Sequence, residues 1–296
     1  MSASSLTATE IATQPECWQR AAELVGGEGE KLPRAGERVA VIGCGTSWFM
    51  AQSYASLRER SGQGETDAFA ASEFPFDRGY DRVVAITRSG TTTEVLLACE
   101  RLRGAIPVTA LTADPNTPVM GAADEVVVLD FADEQSVVQT RFATTVLALL
   151  RTHLGEDLSA AVADARRAVK EELPAGLTKA EQFTFLGTGW TYGLAQEAAL
   201  KMREAAGAWT EAYPAMEYRH GPISITGPGR VVWSFGALPD GLADSVAAVG
   251  GRLVAHPVGD PLADLIRAQR LAVSIAQAKG FDPDQPRNLT RSVILH

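Results

Sequence analysis

The most constraining feature of this 296-residue chain is a segment that occurs twice. Residues 41–57, VIGCGTSWFMAQSYASL, align without gaps on residues 185–201, FLGTGWTYGLAQEAALK. The identities are Gly43, Gly45, Ala51, Gln52 and Ala55 with Gly187, Gly189, Ala195, Gln196 and Ala199. Convergent strand-loop-helix composition could give a weaker match, but identities at one constant offset favour a duplicated unit. The chain is long enough for two domains of moderate size, so we expect two copies of one fold.

Short apolar runs separated by longer amphipathic ones predict parallel α/β sheets flanked by helices. In the first copy the runs are residues 39–42, 67–71, 83–87, 108–112 and 126–129. In the second copy they lie near Phe183 and at residues 231–235 and 253–255, so this copy looks shorter. The predicted boundaries are 1–35 for an N-terminal helix and linker, 36–155 for the first subdomain, 156–177 for a connecting helix, 178–279 for the second subdomain and 280–296 for a C-terminal tail over the active site.

Composition excludes several classes of function. A net charge of -9 without a Lys/Arg-rich stripe disfavours nucleic acid and anionic membranes as partners. The three cysteines have no CxxC pair and the four histidines have no ligand spacing, so we expect no metal and no other cofactor. The N-terminus lacks a signal-peptide pattern and no apolar run reaches transmembrane length, which predicts a cytoplasmic protein.

Each copy begins with a strand, a Gly-x-Gly turn and a helix. The third glycine of a dinucleotide-binding motif is replaced by Trp48 in one copy and Tyr192 in the other, which argues against NAD. The first turn still offers backbone N–H groups and hydroxyls at a helix N-terminus, a suitable arrangement for one phosphate. Its residues are Gly43, Cys44, Gly45, Thr46 and Ser47. A plain tight turn with Thr46 or Ser47 as helix N-cap is the alternative.

A second hydroxyl-rich turn runs from Thr87 to Glu94, between an apolar strand and a predicted helix. Ligands of parallel sheets bind outside the carboxyl ends of strands, where helix N-terminal amides favour an anion. The candidate phosphate-binding residues here are Thr87, Arg88, Ser89 and Thr92. Arg88 could add a bidentate contact to phosphate. An ordinary Ser/Thr-capped helix, with local bonds from Thr92 and Glu94, is the alternative.

Charged residues that could move protons lie in the second copy. Glu197, Lys201 and Glu204 share one face of a predicted helix, although such spacing is also typical of a solvated ion pair. His220 follows in the non-helical segment EYRHGP. Imidazole titrates near neutrality and can act as a general acid or base, but a structural histidine bonded to backbone is the alternative.

Five stretches resemble the sugar isomerase (SIS) domain family. They are GCGTS at 43–47, RSGTT at 88–92, EAALKMRE at 197–204, EAYPAMEYRHGP at 211–222 and DQPRNLTRSV at 284–293. The resemblance is to the isomerase half of glucosamine-6-phosphate synthase and to the aminosugar-phosphate isomerase/deaminase group. It implies two tandem flavodoxin-like subdomains, phosphate on the two first-half loops and an active site at a homodimer interface.

The same resemblance implies catalytic roles. Glu204 would move a proton between sugar carbons 1 and 2 with help from Lys201, and His220 of a neighbouring subunit would help to open the ring. Arg291 stands where the synthase has a lysine that forms an imine, and a guanidinium stays protonated. We also see no N-terminal glutaminase domain, so we expect no dependence on glutamine.

These observations predict a phosphosugar isomerase or deaminase that acts on a 6-phosphorylated sugar or aminosugar without a cofactor. A deglycase of fructosamine 6-phosphates would use the same loops and the same carboxylate. A non-catalytic sugar-phosphate sensor is the third reading, because related subdomains serve as ligand-binding modules. Glu204, Lys201 and His220 together weigh against the sensor, since binding alone needs only the phosphate loops.

Overall fold

The computed structural model describes residues 5–295, which form two compact units. The first unit comprises residues 16–135, 139–158 and 290–295. The second unit comprises residues 5–15, 136–138 and 159–289. These units are defined by spatial contact, whereas the predicted boundaries were drawn along the sequence and stay predictions.

The first unit contains a five-stranded parallel sheet in the order β2-β1-β3-β4-β5. Its strands are β1 (Val39–Gly43), β2 (Thr66–Ala70), β3 (Arg82–Ile86), β4 (Val108–Thr112) and β5 (Glu125–Val128). The helices are α2 (Gln14–Glu28, mostly in this unit), α3 (Thr46–Arg60), α4 (Thr93–Leu102), α5 (Val119–Ala122) and α6 (Arg141–His153). This strand order is the flavodoxin-like one.

Helix packing explains the continuous apolar runs of the first sheet. Every residue of β1 and β4 is buried, as expected for parallel strands covered on both faces. On one face, Val95, Cys99 and Leu102 of α4 join a core cluster with Ala40 and Val83 of the sheet. Their spacing of four and three residues places all three side chains on one face of the helix.

The second unit contains a four-stranded parallel sheet in the order β7-β6-β8-β9. Its strands are β6 (Gln182–Gly187), β7 (Trp209–Pro214), β8 (Arg230–Ser234) and β9 (Arg252–Ala255). The helices are α1 (Leu6–Ala12), α7 (Ser159–Ala168), α8 (Thr191–Ala206), α9 (Leu242–Ala248) and α10 (Pro261–Ala278). The order repeats that of the first sheet without its fifth strand, so the prediction of two related α/β subdomains is confirmed.

The repeated glycines bring each helix close to the strand before it. A Cβ at Gly43 would lie 2.7 Å from Cβ of Ser47, and one at Gly187 would lie 2.3 Å from the carbonyl oxygen of Thr191. Gly45 and Gly189 have φ values of 54° and 57°, which glycine adopts without a steric penalty. Both copies therefore need glycine at these two positions for backbone reasons.

Within residues 5–295, no helix has the length and apolarity that a membrane crossing requires. The same part of the chain contains no group of three or more His, Cys, Asp or Glu side chains placed to hold a metal ion. Cys17, Cys44 and Cys99 are free thiols.

Candidate functional site

The first hydroxyl-rich turn follows the carboxyl end of β1. Helix α3 begins at Thr46, with Gly45 as its N-cap residue, so the alternative in which Thr46 or Ser47 caps the helix is wrong. Both residues lie in the first helical turn and are only 4% exposed. Helix N-terminal amides carry partial positive charge, which favours an anion near this turn.

Cys44 lies in the same turn and is half-buried. Burial raises the pKa of its thiol to about 11, and the negative charge of Glu94 adds to the rise. The thiol is therefore protonated at neutral pH. A neutral Cys44 does not repel an anion and does not act as a nucleophile there.

The second turn follows β3, which pairs directly with β1, so both turns lie at the same edge of the first sheet. Thr87 is 3% exposed, and its hydroxyl has no hydrogen-bond partner among residues 5–295. The Ser89 hydroxyl accepts hydrogen bonds from N–H and Oγ1 of Thr91, at 3.2 and 3.0 Å. Thr92 is the N-cap residue of α4 but makes no side-chain capping bond. These hydroxyls surround the N-terminus of α4.

Arg88 is directed into the unit. Its Nη1 lies 3.4 Å from Oε2 of Glu134, and both side chains are almost fully buried. Glu134 also accepts hydrogen bonds from the N–H groups of Thr140 and Arg141, at the start of α6. The positive charge of Arg88 is therefore compensated inside the protein by Glu134. No motif in the sequence indicated this role for Glu134, which lies outside both hydroxyl-rich turns.

Arg291 and its neighbours contact the second turn. The guanidinium of Arg291 donates to the carbonyl of Glu134 and to Oδ1 of Asp133, the latter at 2.5 Å. Arg88 Nη2 donates to the carbonyl of Arg291 at 3.1 Å. In the first unit, therefore, the side chain at the imine-lysine position forms an ion pair with Asp133.

The acidic helix face of the second unit is buried. Glu197 is 0% and Lys201 1% exposed, so the reading of a solvated ion pair is wrong for these two residues. Lys201 Nζ lies 2.5 Å from Oε2 of Glu204 and 3.6 Å from Oε1 of Glu197. The structure thus brings Lys201 and Glu204 together, as a proton-transfer site needs.

Glu204 also lines a cavity of about 410 Å³ in the second unit, a size that suits a small ligand. The end of α8 forms one wall and the segment 280–288 forms another. Arg287 and Asn288 lie on the latter wall, where Arg287 stacks 4.9 Å from the ring centre of Phe281. Asn288 has φ of 64°, a backbone conformation that asparagine tolerates better than most residues. The carboxylate is thus accessible from a concave surface.

His220 and Glu204 lie near opposite ends of the strands of the second sheet. Strands β6 and β7 run parallel, and α8 returns from the carboxyl end of β6 to the amino end of β7, with Glu204 near the end of that return. His220 is exposed and follows the carboxyl end of β7. The six residues of β7 span about 20 Å. The second unit therefore does not bring its own His220 to its own Glu204.

Comparison with known proteins starts from sequence. No protein-family model matches the chain. It is 28% identical over 293 residues to glutamine–fructose-6-phosphate aminotransferase (isomerizing) of Sulfurisphaera tokodaii, covering 87% of this chain and 50% of the relative. It is 29% identical over 318 residues to the enzyme of the same name from Thermus thermophilus, covering 88% and 52%. The chain spans about half the length of the curated relatives it matches.

Solved structures share the fold along their whole length. Glucosamine-6-phosphate deaminase of Thermotoga maritima aligns with a TM-score of 0.81 at 24% identity, covering 98% of this chain and all of that one. The C-terminal domain of the Francisella tularensis glucosamine-fructose-6-phosphate aminotransferase also aligns with a TM-score of 0.81, at 21% identity, covering 96% and 99%.

The predicted resemblance to the sugar isomerase family is confirmed. A third solved structure with this fold is tagatose-6-phosphate ketose/aldose isomerase of Escherichia coli, with a TM-score of 0.78 at 19% identity, covering 99% and 97%. The two parallel sheets of the chain match the two-subdomain architecture of sugar isomerase proteins. Its relatives include enzymes that bear isomerase and deaminase names.

Proposed function

We propose that the protein is a phosphosugar isomerase or deaminase that acts on a 6-phosphorylated sugar or aminosugar. The observation that carries this proposal is Glu204, whose carboxylate lines a cavity while its own partner, Lys201, is buried. A buried ammonium fixed 2.5 Å from an accessible carboxylate is more than a binding module requires. Carbon acids need such a positioned base, with a cation nearby as negative charge develops.

Phosphate binding belongs to the first unit in this proposal. Ser47, Thr87, Ser89 and Thr92 contribute hydroxyls, and the N-termini of α3 and α4 contribute N–H groups. Thr87 supports this assignment because a buried hydroxyl without a protein partner is costly unless a ligand or water satisfies it. Arg88 supports the loop through Glu134.

Proton transfer belongs to Glu204. The ring of the sugar opens with help from His220, which gives the acyclic aldose or 2-amino-aldose. Glu204 then removes the proton from C2, and the resulting enediol or enolamine keeps the electron pair in its new C1–C2 double bond. Glu204 returns the same proton to C1, and in an aldose the proton of the C2 hydroxyl passes to O1, which completes the aldose-to-ketose change. Lys201 holds Glu204 in place and offsets the developing negative charge. In deamination, water then releases ammonia from the C2 imine.

A homodimer is part of the proposal because His220 lies near the carboxyl ends of the strands of the second sheet and Glu204 near their amino ends. His220 of one subunit would then serve Glu204 of another. A mixture of Glu204→Gln and His220→Ala proteins tests this directly. Each is inactive alone, but a mixed dimer pairs an intact Glu204 with an intact His220 at one of its two sites. We expect random exchange to restore about a quarter of the wild-type sites, and no recovery would show that His220 acts within its own subunit or not at all.

A substrate panel tests the activity itself. Glucosamine, galactosamine and fructose 6-phosphates and a fructosamine 6-phosphate are incubated with the protein, and products are read by mass spectrometry and ammonia assay. We expect isomerisation or ammonia release from at least one of the first three. Release of free amine from the fructosamine alone would identify a deglycase, and tight binding without any product would identify a sensor.

The Glu204→Gln variant assigns the base. We expect turnover to fall by about 10²- to 10⁴-fold, the usual contribution of a general base, while the sugar phosphate still binds. Arg60→Gln is the matched control, since Arg60 occupies the corresponding position of the first copy and is exposed. Normal turnover by Glu204→Gln would exclude Glu204 as the base.

We place the protein in the cytoplasm, because its three free thiols suit a reducing compartment.

A further inference from the structure

Residues 290–295, here called the strap, run along the second hydroxyl-rich turn. The N–H of Thr93 donates to the carbonyl of Val293 at 3.2 Å, and the N–H of Leu295 donates to Oγ1 of Thr93 at 2.9 Å. The hydroxyls of Ser292 and Thr91 lie 2.9 Å apart. The strap thus bonds the same turn and helix N-terminus that hold the candidate phosphate-binding hydroxyls.

A cluster of four charges fastens the strap. Arg88 pairs with Glu134, and Arg291 pairs with Asp133. Two further bonds connect the pairs, from Arg88 to the carbonyl of Arg291 and from Arg291 to the carbonyl of Glu134. The two positive and two negative charges cancel, so the cluster adds no net charge beside an anion site. Its direct interactions hold the strap, the turn after β3 and the segment before α6 together.

A chain of hydroxyls extends from the strap into the turn. Ser292 contacts Thr91, and Thr91 donates to Ser89 at 3.0 Å. Because each hydroxyl in such a chain can donate and accept, the orientation of Ser292 influences whether Thr91 donates to Ser89 and so leaves the Ser89 proton free for a ligand. Ser89 is one of the residues proposed to hold phosphate. The strap is therefore in a position to set how well that hydroxyl is preorganised.

We propose that Arg291 is a positioning residue for the anion site: by pairing with Asp133 it holds the strap on the turn, so that Ser292 completes the hydroxyl chain to Ser89. This inference deepens the proposed function, on which it rests. It also gives Arg291 a role that differs from imine formation, since a guanidinium that stays protonated and bonded to Asp133 is no nucleophile. The consequence is an effect on affinity for phosphorylated ligands more than on the chemical step.

Arg291→Ala tests the proposal through two measurements. Calorimetry gives Kd for inorganic phosphate and for glucosamine 6-phosphate, and steady-state kinetics give KM and kcat for whichever panel sugar is turned over. We expect Kd and KM to rise about tenfold, with kcat within about twofold, because the interaction serves ground state and transition state equally. A large fall in kcat at unchanged KM would overturn the positioning role, as would unchanged values throughout.

Companion variants separate positioning from general destabilisation. Asp133→Ala should repeat the effect, and the double variant should add nothing, because both changes remove one interaction. Arg291→Lys should restore part of the affinity, since an ammonium still pairs with Asp133. Ser292→Ala should weaken binding without loosening the strap. Arg103→Ala is the control, an exposed arginine of the same unit that donates to the carbonyl of Gly121. An effect of that variant equal to Arg291→Ala would overturn the proposal.

Failure of this inference is distinguishable from failure of the proposed function. If Ser47→Ala and Thr87→Val abolish phosphate binding while the Arg291 and Ser292 variants bind normally, only the strap proposal is wrong. If Ser47→Ala and Thr87→Val also bind normally, the anion site itself is wrong. Melting temperatures of all variants show which proteins are folded at the temperature of the binding experiment.

Discussion

The same turn does different work in the two copies. In the second unit Thr191 stands where the first has Ser47, and its hydroxyl is used internally: it accepts from the N–H of Thr188 at 2.8 Å and lies 3.1 Å from the carbonyl of Phe235. In the first unit the corresponding residue, Ser47, lies in the first turn of α3 and is 4% exposed. The two copies therefore share the backbone of this turn, while the hydroxyl of the second copy is bonded within its own unit.

At the C-terminal ends of α3 and α8, it is the second copy that has the candidate functional residues. The last turn of α8 carries Glu204, paired to the buried Lys201, whereas the corresponding positions of α3 are the exposed Arg60 and the apolar Leu57. The proposed chemistry therefore uses the helix N-termini in the first unit and the helix C-terminus in the second. Four predictions test this division of labour, from the largest expected effect to the smallest.

Lys201→Met should produce the largest loss of stability. It leaves the fully buried Glu197 and the adjacent Glu204 without their shared ammonium, and breaking a buried ion pair costs about 3–5 kcal/mol. Leu57→Met, at the corresponding position of the first copy, conserves volume and should cost less than about 1.5 kcal/mol. Urea unfolding measures both. Equal losses of unfolding free energy would mean that the ion pairs of Lys201 contribute no more to stability than the apolar packing of Leu57.

Ser47→Ala and Thr191→Val should have opposite consequences. A hydrogen bond to a charged ligand contributes about 1.5–3 kcal/mol, so Ser47→Ala should weaken phosphate binding tenfold or more with little change in stability. Thr191→Val should lower the free energy of unfolding by about 1–3 kcal/mol, because the N–H of Thr188 loses its partner, and should leave phosphate affinity unchanged. Weaker phosphate binding by Thr191→Val would contradict the comparison.

Gly43→Ala and Gly187→Ala should behave alike, because the backbone is what the copies share. Each new Cβ would overlap the following helix and should cost about 1–3 kcal/mol of stability. Gly79→Ala is the control, since a Cβ there meets no atom within 4 Å. Thermal unfolding measures the three variants, and a neutral change at either repeated glycine would show that its strand-helix approach is not close in solution.

Cys44 should show the smallest effect, in the rate of its alkylation. Burial raises the pKa of its thiol to about 11, so the reactive thiolate is scarce at neutral pH and increases only as the pH rises toward that value. The folded state binds this proton more tightly than the unfolded state. The contribution of the Cys44 thiol to the free energy of unfolding is therefore fully present below about pH 8.5 and is lost as the pH rises further. Iodoacetamide labelling followed by mass spectrometry, with unfolded protein as control, measures the rate. Fast labelling of Cys44 at pH 7 would contradict the buried thiol.

Sequence predicted the strands that are continuous apolar runs, because parallel strands covered on both faces have that pattern. Val108–Thr112 was predicted with its observed bounds, and the other four strands of the first sheet agree within one residue at each end. Strand β7 was missed. Its sequence, WTEAYP, has a glutamate at its centre and a proline at its end, and it lies at an edge of the sheet where side chains are half exposed.

The sequence indicated the candidate site by residue type but not by burial or partners. The spacing of Glu197, Lys201 and Glu204 is compatible with solvent or core, and the choice depends on how α8 packs against other elements such as β6, β7 and α10. The small side chains Ala195, Ala198 and Ala205 on α8 are the signal that could have indicated such packing. The roles of Asp133 and Glu134 could not be predicted, because their contacts with Arg88 and Arg291 join positions far apart in the sequence.

The absence of a fifth strand from the second sheet makes β9 an edge. An edge strand presents backbone groups that can recruit other chains, which is a route to aggregation. Here the strand has only four residues, and its first residue, Arg252, places a charge at the margin and donates to the carbonyl of Ala175. A short edge strand that carries a charge pairs less readily with other chains, so this copy of the fold has a device that disfavours edge-to-edge association.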